Sequence, residues 1–202
     1  MGILELEKKI SEFRKWYQTI DFGNGIVTPG KGNGEEVWKK IRSYLPKELS
    51  GYRFLDVGCN AGLLCVRSAL EGANVVGVEL SPYWFDQALF VKKNFEEIYN
   101  KKLNIEYIKD DIFGVMGKKG FFDYVFVISF IYHLKENKQV EFIQNLSNIT
   151  SKVIVRYKLE ERIKEIRKID CIFTDNGFDI EKEISEKKLG KYLVFYGKNN
   201  VS

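Results

Sequence analysis

FLDVGCNAG, residues 54–62, decides the fold. An apolar, strand-forming run meets an acid, Asp56, and Gly58 and Gly62 then bracket a turn that opens a helical stretch. In a doubly wound sheet the ligand crevice lies at the carboxyl ends of the strands, where a glycine-bearing turn lets backbone amides approach a ligand closely. Asn60 stands inside the turn, and asparagine is, after glycine, the residue that best tolerates a left-handed backbone. Taken alone, two glycines after a strand describe only a tight turn, so the flanking sequence has to carry the rest.

From residue 51 onward short apolar runs alternate with helical periods, which predicts strands joined by crossover helices and a parallel sheet. The expected strands are Arg53–Val57, Asn74–Glu79, Ile105–Lys109, Tyr124–Ser129 and Lys152–Arg156, with helices near Gly62–Glu71, Pro82–Tyr99 and Lys138–Asn148. Two further β-prone runs, Phe178–Glu183 and Lys191–Tyr196, are separated by a short charged turn and are expected to pair antiparallel, because parallel neighbours need a crossover. Upstream, Ile3, Leu6, Ile10, Phe13 and Tyr17 recur at helical steps. Five glycines and a proline in residues 21–34 interrupt regular structure, and Asn33 with Glu36 forms a capping-box pattern before Val37, Trp38, Ile41 and Leu45. The division expected is a helical cap with a glycine-rich substrate loop over residues 1–50 and a ligand-binding domain over 51–202.

The inventory of residues narrows the chemistry. One histidine, His133, and three scattered cysteines, Cys59, Cys65 and Cys171, argue against a zinc site and against a disulfide framework, so no metal and a cytoplasmic setting are expected. No apolar run approaches a membrane span. The net charge of +4 divides into +2 over residues 1–50, −1 over 51–137 and +3 over 138–202, well short of a polybasic nucleic-acid binder.

Acids end each of the first three strands: Asp56, then Glu79, then Asp111 followed by Ile112. A carboxylate at the second position can accept both hydroxyls of an adenosine ribose, and one at the third can accept from an adenine amine. A dinucleotide site would instead carry G-x-G-x-x-G, with a helix N-terminus aimed at pyrophosphate. Here the spacing is G-C-N-A-G, and Asp56 would repel phosphate while favouring a cationic amine. An uncharged nucleoside with a zwitterionic tail fits, as in S-adenosylmethionine.

Residues 54–62, 75–80, 107–112 and 123–134 resemble the motifs of class I S-adenosylmethionine-dependent methyltransferases. The resemblance implies an α/β, Rossmann-like sheet, mostly parallel with a C-terminal antiparallel hairpin, plus an N-terminal helical cap. It implies that Asp56, Gly58 and Asn60 border the amino-acid moiety of the cofactor, that Glu79 holds the ribose, that Asp111 and Ile112 meet the adenine, that Ser129 and Phe130 face the methyl group, and that Cys59, Gly62 and Leu80 also belong to the cofactor site. WYQTIDFGNGIVTPG (16–30) and FIYHLKEN (130–137) are similar to the group that includes the tRNA wobble-uridine carboxymethyl transferase, whose tyrosine Tyr132 matches. The arginine with which that enzyme holds a carboxylated cofactor has no counterpart, so ordinary S-adenosylmethionine is expected.

The acceptor stays open between a small metabolite and a tRNA base, through oxygen or nitrogen. SFIY replaces the N/D-P-P-Y/F of adenine and cytosine amino-methylases, and Cys171 lies too far along for carbon-5 chemistry. His133 is a candidate base, with a pocket-shaping role as its alternative. Trp16, Tyr17 and Lys31 are candidate substrate contacts on a lid whose glycines permit movement, with burial of Trp16 as the alternative. Arg156, with Arg162, Lys164, Arg167 and Lys168, reads as a solvated basic face or as a phosphate-contacting edge. Two readings compete with the methyltransferase: a non-catalytic RNA-binding or scaffold subunit of the same fold, and a nicotinamide-dependent oxidoreductase.

Overall fold

The computed structural model describes residues 3–158, 163–186 and 191–198. Seven strands form one sheet in the order β3-β2-β1-β4-β5-β7-β6. In chain order they are β1 (Arg53–Val57), β2 (Asn74–Val78), β3 (Ile105–Ile108), β4 (Tyr124–Ile128), β5 (Lys152–Lys158), β6 (Phe178–Glu186) and β7 (Lys191–Lys198). β1 through β5 pair parallel where their registers are defined, whereas β7 pairs antiparallel with both β5 and β6. The last two strands thus form the expected hairpin, with the later strand inserted next to β5; its turn lies outside the described residues.

The chain forms two compact units, residues 1–52 with 59–110 and residues 53–58 with 111–202. The first holds α1 (Ile3–Glu12), α2 (Gly34–Arg42), α3 (Leu63–Leu70), β2, α4 (Pro82–Ile98) and β3. α2 starts where its capping box places it, with Asn33 Oδ1 accepting from the Glu36 amide at 3.3 Å. Its apolar stripe of Val37, Trp38 and Ile41 is buried, each such side chain worth about 1.5–3 kcal/mol. α1 is shorter than its periodicity predicts. It stops at Glu12, so Trp16 turns inward at 4% exposure while Tyr17 stays 42% exposed. Trp16 packs edge-on against Phe13 at 5.2 Å and donates its indole N–H to the Ile10 carbonyl at 3.1 Å. Trp38 is likewise buried.

The glycine-rich stretch is a tied loop rather than an open hinge. Thr19 and Gly32 amides donate to the carbonyls of Gly32 and Tyr17, each at 2.8 Å. The buried Thr28 hydroxyl accepts from the Ile20 amide and donates to the Gln18 carbonyl. Gly30 lies so close that a Cβ there would stand 2.1 Å from the Gln18 carbonyl oxygen. Its glycines are used for close approach as well as for turning.

The second unit holds β1, α5 (Ile112–Val115), β4, a 3-10 turn (Ile131–His133), α6 (Glu136–Ile149), β5, α7 (Ile163–Asp175), β6 and β7. α5 is an additional helical turn beyond the sequence expectation. Arg156, grouped above with a solvated basic face, instead lies within β5 at 5% exposure, because β5 is bordered by strands on both sides. Arg162 and the side chains of Lys164, Arg167 and Lys168 fall outside the described residues.

A buried polar chain joins α7 to the sheet. The Tyr157 and Tyr196 hydroxyls lie 2.9 Å apart, and Tyr196 donates to the Asp170 carboxylate. Burial pushes the Asp170 carboxyl above its ordinary 3.8, with the Tyr196 hydrogen bond opposing. A carboxyl whose folded pKa is raised costs nothing below its unfolded pKa, and stability falls as pH rises from there through the folded value. Asp170→Asn keeps an acceptor for Tyr196 and removes that cost. In chemical denaturation the variant is expected to match or exceed the parent at pH 7 and to flatten the stability decline that begins above about pH 4.

Candidate active site

The turn after β1 is built from left-handed residues. Gly58, Asn60 and Gly62 have φ of 65°, 54° and 76°. Glycine takes this region without strain, and asparagine tolerates it because its short side chain bonds locally. Asn60 does so by accepting from the Ala61 amide at 2.9 Å. The Gly62 amide closes the turn on the Cys59 carbonyl at 2.9 Å, and α3 begins at the next residue.

In the first unit Glu79 fastens this turn. It lies just past β2 at 9% exposure, with Oε2 accepting from the Asn60 amide at 2.9 Å and Oε1 from the Ser81 amide at 2.8 Å. Asn60 and Glu79, both named from sequence, are thereby brought together. Leu80 follows at 64% exposure, a large apolar side chain beside a buried carboxylate. Cys59 is buried, and its amide donates to the Val78 carbonyl at 3.0 Å.

Two residues that the sequence reading missed complete the support. Tyr107 of β3 sits in register with Gly77 of β2, and a Cβ on Gly77 would come within 2.7 Å of its ring. Its hydroxyl reaches the Gly62 carbonyl at 3.4 Å, and a Cβ on Gly62 would lie 2.1 Å from that hydroxyl oxygen. The strand-interior Gly77 was the available clue, since such glycines mark close approach. Gln18 bridges from the tied loop, its amide nitrogen donating to the Cys59 carbonyl at 3.5 Å and its oxygen accepting from the Leu63 amide at 3.3 Å. Lys31 is exposed, and its neighbour Gly32 pairs with Tyr17 through the backbone.

In the second unit Asp56 is 2% exposed on β1, in register with Phe126. The Phe130 ring lies against Gly58, where a Cβ would stand 2.8 Å from its edge, and packs on Phe142 at 5.6 Å. Asp111 is the N-cap of α5, its Oδ1 accepting from the Phe113 amide at 2.8 Å, and Ile112 is buried. Ser129 directly follows β4 with φ of 58°, its amide donating to the Arg156 carbonyl at 3.1 Å. Ile131 plugs the core, whereas His133 is exposed with its ring 4.6 Å from that of Tyr132. Gln139 of α6 secures this turn by donating to the Ile131 and Leu134 carbonyls. Among the described residues, no cluster of three or more His, Cys, Asp or Glu side chains could hold a metal ion, and no helix is long and apolar enough to cross a membrane.

The sequence profile described as a methyltransferase domain matches residues 54–152, running from the strand that carries Asp56 to the start of β5. The chain is a class I S-adenosylmethionine-dependent methyltransferase by family. This places it apart from nicotinamide oxidoreductases. A magnesium-protoporphyrin O-methyltransferase of Rhodobacter capsulatus is 48% identical over 46 residues, 23% of this chain and 20% of that protein. A ubiquinone biosynthesis O-methyltransferase of Brucella ovis is 53% identical over 36 residues, 18% of this chain and 14% of that one. The chain therefore spans a fifth or less of these curated relatives in the matched stretches. Among solved structures, the magnesium protoporphyrin IX methyltransferase of Synechocystis PCC 6803 with bound SAM has a TM-score of 0.65 at 20% identity, over 81% of this chain and 77% of that one. That likeness is one of fold.

Gly62→Ala tests the support of the turn. A Cβ there meets both a left-handed backbone and the Tyr107 hydroxyl, so a loss of about 1–3 kcal/mol is expected in urea unfolding. Adding Tyr107→Phe should return part of it; a fully stable Gly62→Ala protein would contradict the packing described.

Proposed function

We propose that the chain binds S-adenosylmethionine at the 58–62 turn and transfers its methyl group to an oxygen of a small molecule. The observation that carries the reading is the Glu79 carboxylate, buried and held by two backbone amides beside a left-handed turn. Each carboxylate oxygen has a lone pair to spare for a ribose hydroxyl. By the motif resemblance, Asp111 and Ile112 would meet the adenine and Asp56 the cationic amino-acid end. Gly58, Cys59, Asn60 and Gly62 would supply backbone to that end, and Ser129 and Phe130 would border the methyl group. When bound, S-adenosylmethionine supplies a methyl on a cationic sulfur; the methyl passes to the acceptor oxygen while the sulfur keeps the bonding pair.

For this chain's own residues the roles are positioning and proton removal. His133, exposed on the turn after β4, takes the proton that a hydroxyl acceptor must lose, with Tyr132 beside it. Tyr17 and Lys31, both exposed, remain the candidate acceptor contacts of the N-terminal region. A small-molecule oxygen acceptor is favoured over a tRNA base because the relatives named above are O-methyltransferases of small molecules, and because the charge of this chain is only mildly positive.

Calorimetric titration with S-adenosylhomocysteine tests the cofactor assignment. One equivalent per chain is expected, and Glu79→Ala should weaken binding by about 1.5–3 kcal/mol, the range for hydrogen bonds to a charged group. Binding as tight in Glu79→Ala as in the parent would overturn the assignment.

A further inference from the structure

We propose that Gln18 is a positioning residue for the cofactor: it reaches from the glycine-rich loop to cap α3, and so holds the turn at residues 59–62 in its binding shape. The proposal rests on the methyltransferase reading above. Five successive amides at this turn each have an acceptor. Cys59 donates to the Val78 carbonyl, Asn60 to Glu79, Ala61 to the Asn60 side chain, Gly62 to the Cys59 carbonyl and Leu63 to Oε1 of Gln18 at 3.3 Å. The first four acceptors belong to the turn itself or to the end of β2 and the residue after it. The fifth comes from the N-terminal segment.

A helix leaves its first amides without intrahelical acceptors, and a side chain at the N-cap ordinarily takes one of them. The N-cap of α3 is Gly62, which has no side chain to offer. A capping serine or aspartate does not fit there, because φ is 76° and a Cβ would stand 2.1 Å from the Tyr107 hydroxyl oxygen. The acceptor has to come from elsewhere in the chain, and Gln18 supplies it. Its Nε2 also donates at 3.5 Å to the Cys59 carbonyl, the same oxygen on which the Gly62 amide closes the turn. One side-chain amide thus ties both ends of the turn. Leu63 is fully buried, so without Gln18 its amide would be a buried donor lacking an acceptor, which favours a rearranged turn.

The loop presents this side chain from a fixed backbone. On one side α4 holds Lys15: the Tyr83 hydroxyl accepts from the Lys15 amide at 2.7 Å and donates to its carbonyl at 2.9 Å, and Gln87 Nε2 donates to the same carbonyl at 2.7 Å. On the other, the Thr19 amide donates to the Gly32 carbonyl, and the Thr28 hydroxyl donates to the carbonyl of Gln18 itself. The close approach of Gly30 to that carbonyl belongs to the same arrangement. With its backbone already held, Gln18 loses little further freedom in reaching the turn. A turn that spends only part of its time in the binding shape binds in proportion to that part, so releasing the cap weakens apparent affinity without altering a group assigned to touch the ligand. A second clasp holds the same region away from the turn: Arg67 of α3 donates to Glu35 at 3.0 Å and to the Asp21 carbonyl at 3.3 Å.

Calorimetric titration with S-adenosylhomocysteine, paired with hydrogen exchange of the unliganded protein, reads the role. Gln18→Met keeps the size of the side chain and removes both contacts. Binding about tenfold weaker is expected, the worth of one to two net hydrogen bonds, together with faster exchange at the Leu63 amide. Gln18→Glu keeps an acceptor at the helix N-terminus, where a carboxylate is favoured, and should recover part of both. Gln18→Asn, one methylene short, should repeat the loss and keeps the test open where the methionine variant fails to fold. Glu35→Ala opens the second clasp and is expected to leave affinity and Leu63 exchange as in the parent. Parental affinity in both Gln18→Met and Gln18→Asn, or an equal loss in Glu35→Ala, overturns the proposal. Failure of the parent itself to bind S-adenosylhomocysteine brings down the cofactor reading, and the role of Gln18 with it.

Discussion

Three left-handed residues within five positions, Gly58, Asn60 and Gly62, form the constraint on which the site depends. The Gly62 amide closes this turn on the Cys59 carbonyl, and other parts of the chain add to that support. The Glu79 carboxylate takes the Asn60 amide, the Asn60 side chain takes the Ala61 amide, and Tyr107 presses against Gly62 from β3. Gln18 adds a link to both ends of the turn. Each support is a group that could otherwise have been spent on ordinary packing, so the chain invests in the shape of this loop. The loop's conformation is fixed by contacts from residues 18, 79 and 107, which the fold brings to it.

The parts legible in the sequence were those set by local rules. FLDVGCNAG announced the strand, the acid and the turn, and Asn60 adopts the conformation its side chain chemistry allows. The capping box at Asn33 and the closing hairpin were readable for the same reason: short range and specific chemistry. Where the reading departed from the structure, a contact that periodicity does not encode had intervened. The helical period through Tyr17 was real in sequence, yet α1 stops at Glu12 because Trp16 finds a partner in Phe13 and in the Ile10 carbonyl. Arg156 resembled its basic neighbours in sequence and differs from that reading only through the strands on either side of β5. Tyr107 and Gln18 act on residues 45 positions away, and no periodicity reports that.

In the proposed reaction the two ends would be served by different physical means. The cofactor would meet acids and backbone amides, which suit a nucleoside with a cationic tail. The turn after β4, the proposed acceptor side, is held by Ile131 in the core, by Phe130 on Phe142 and by Gln139 at its carbonyls, leaving His133 outward. A fixed turn is what an in-line transfer needs, since much of the rate comes from holding the reacting groups in place. The glycine-rich loop is already tied by its own hydrogen bonds, so a ligand meeting it would face little further ordering cost.

Hydrogen exchange at the turn, followed with and without S-adenosylhomocysteine, tests the central claim most directly. The account predicts that the amides of Asn60 and Ser81 exchange markedly more slowly when the ligand is present, because both donate to the Glu79 carboxylate. Protection that leaves these amides unchanged while slowing exchange elsewhere in the chain would contradict it.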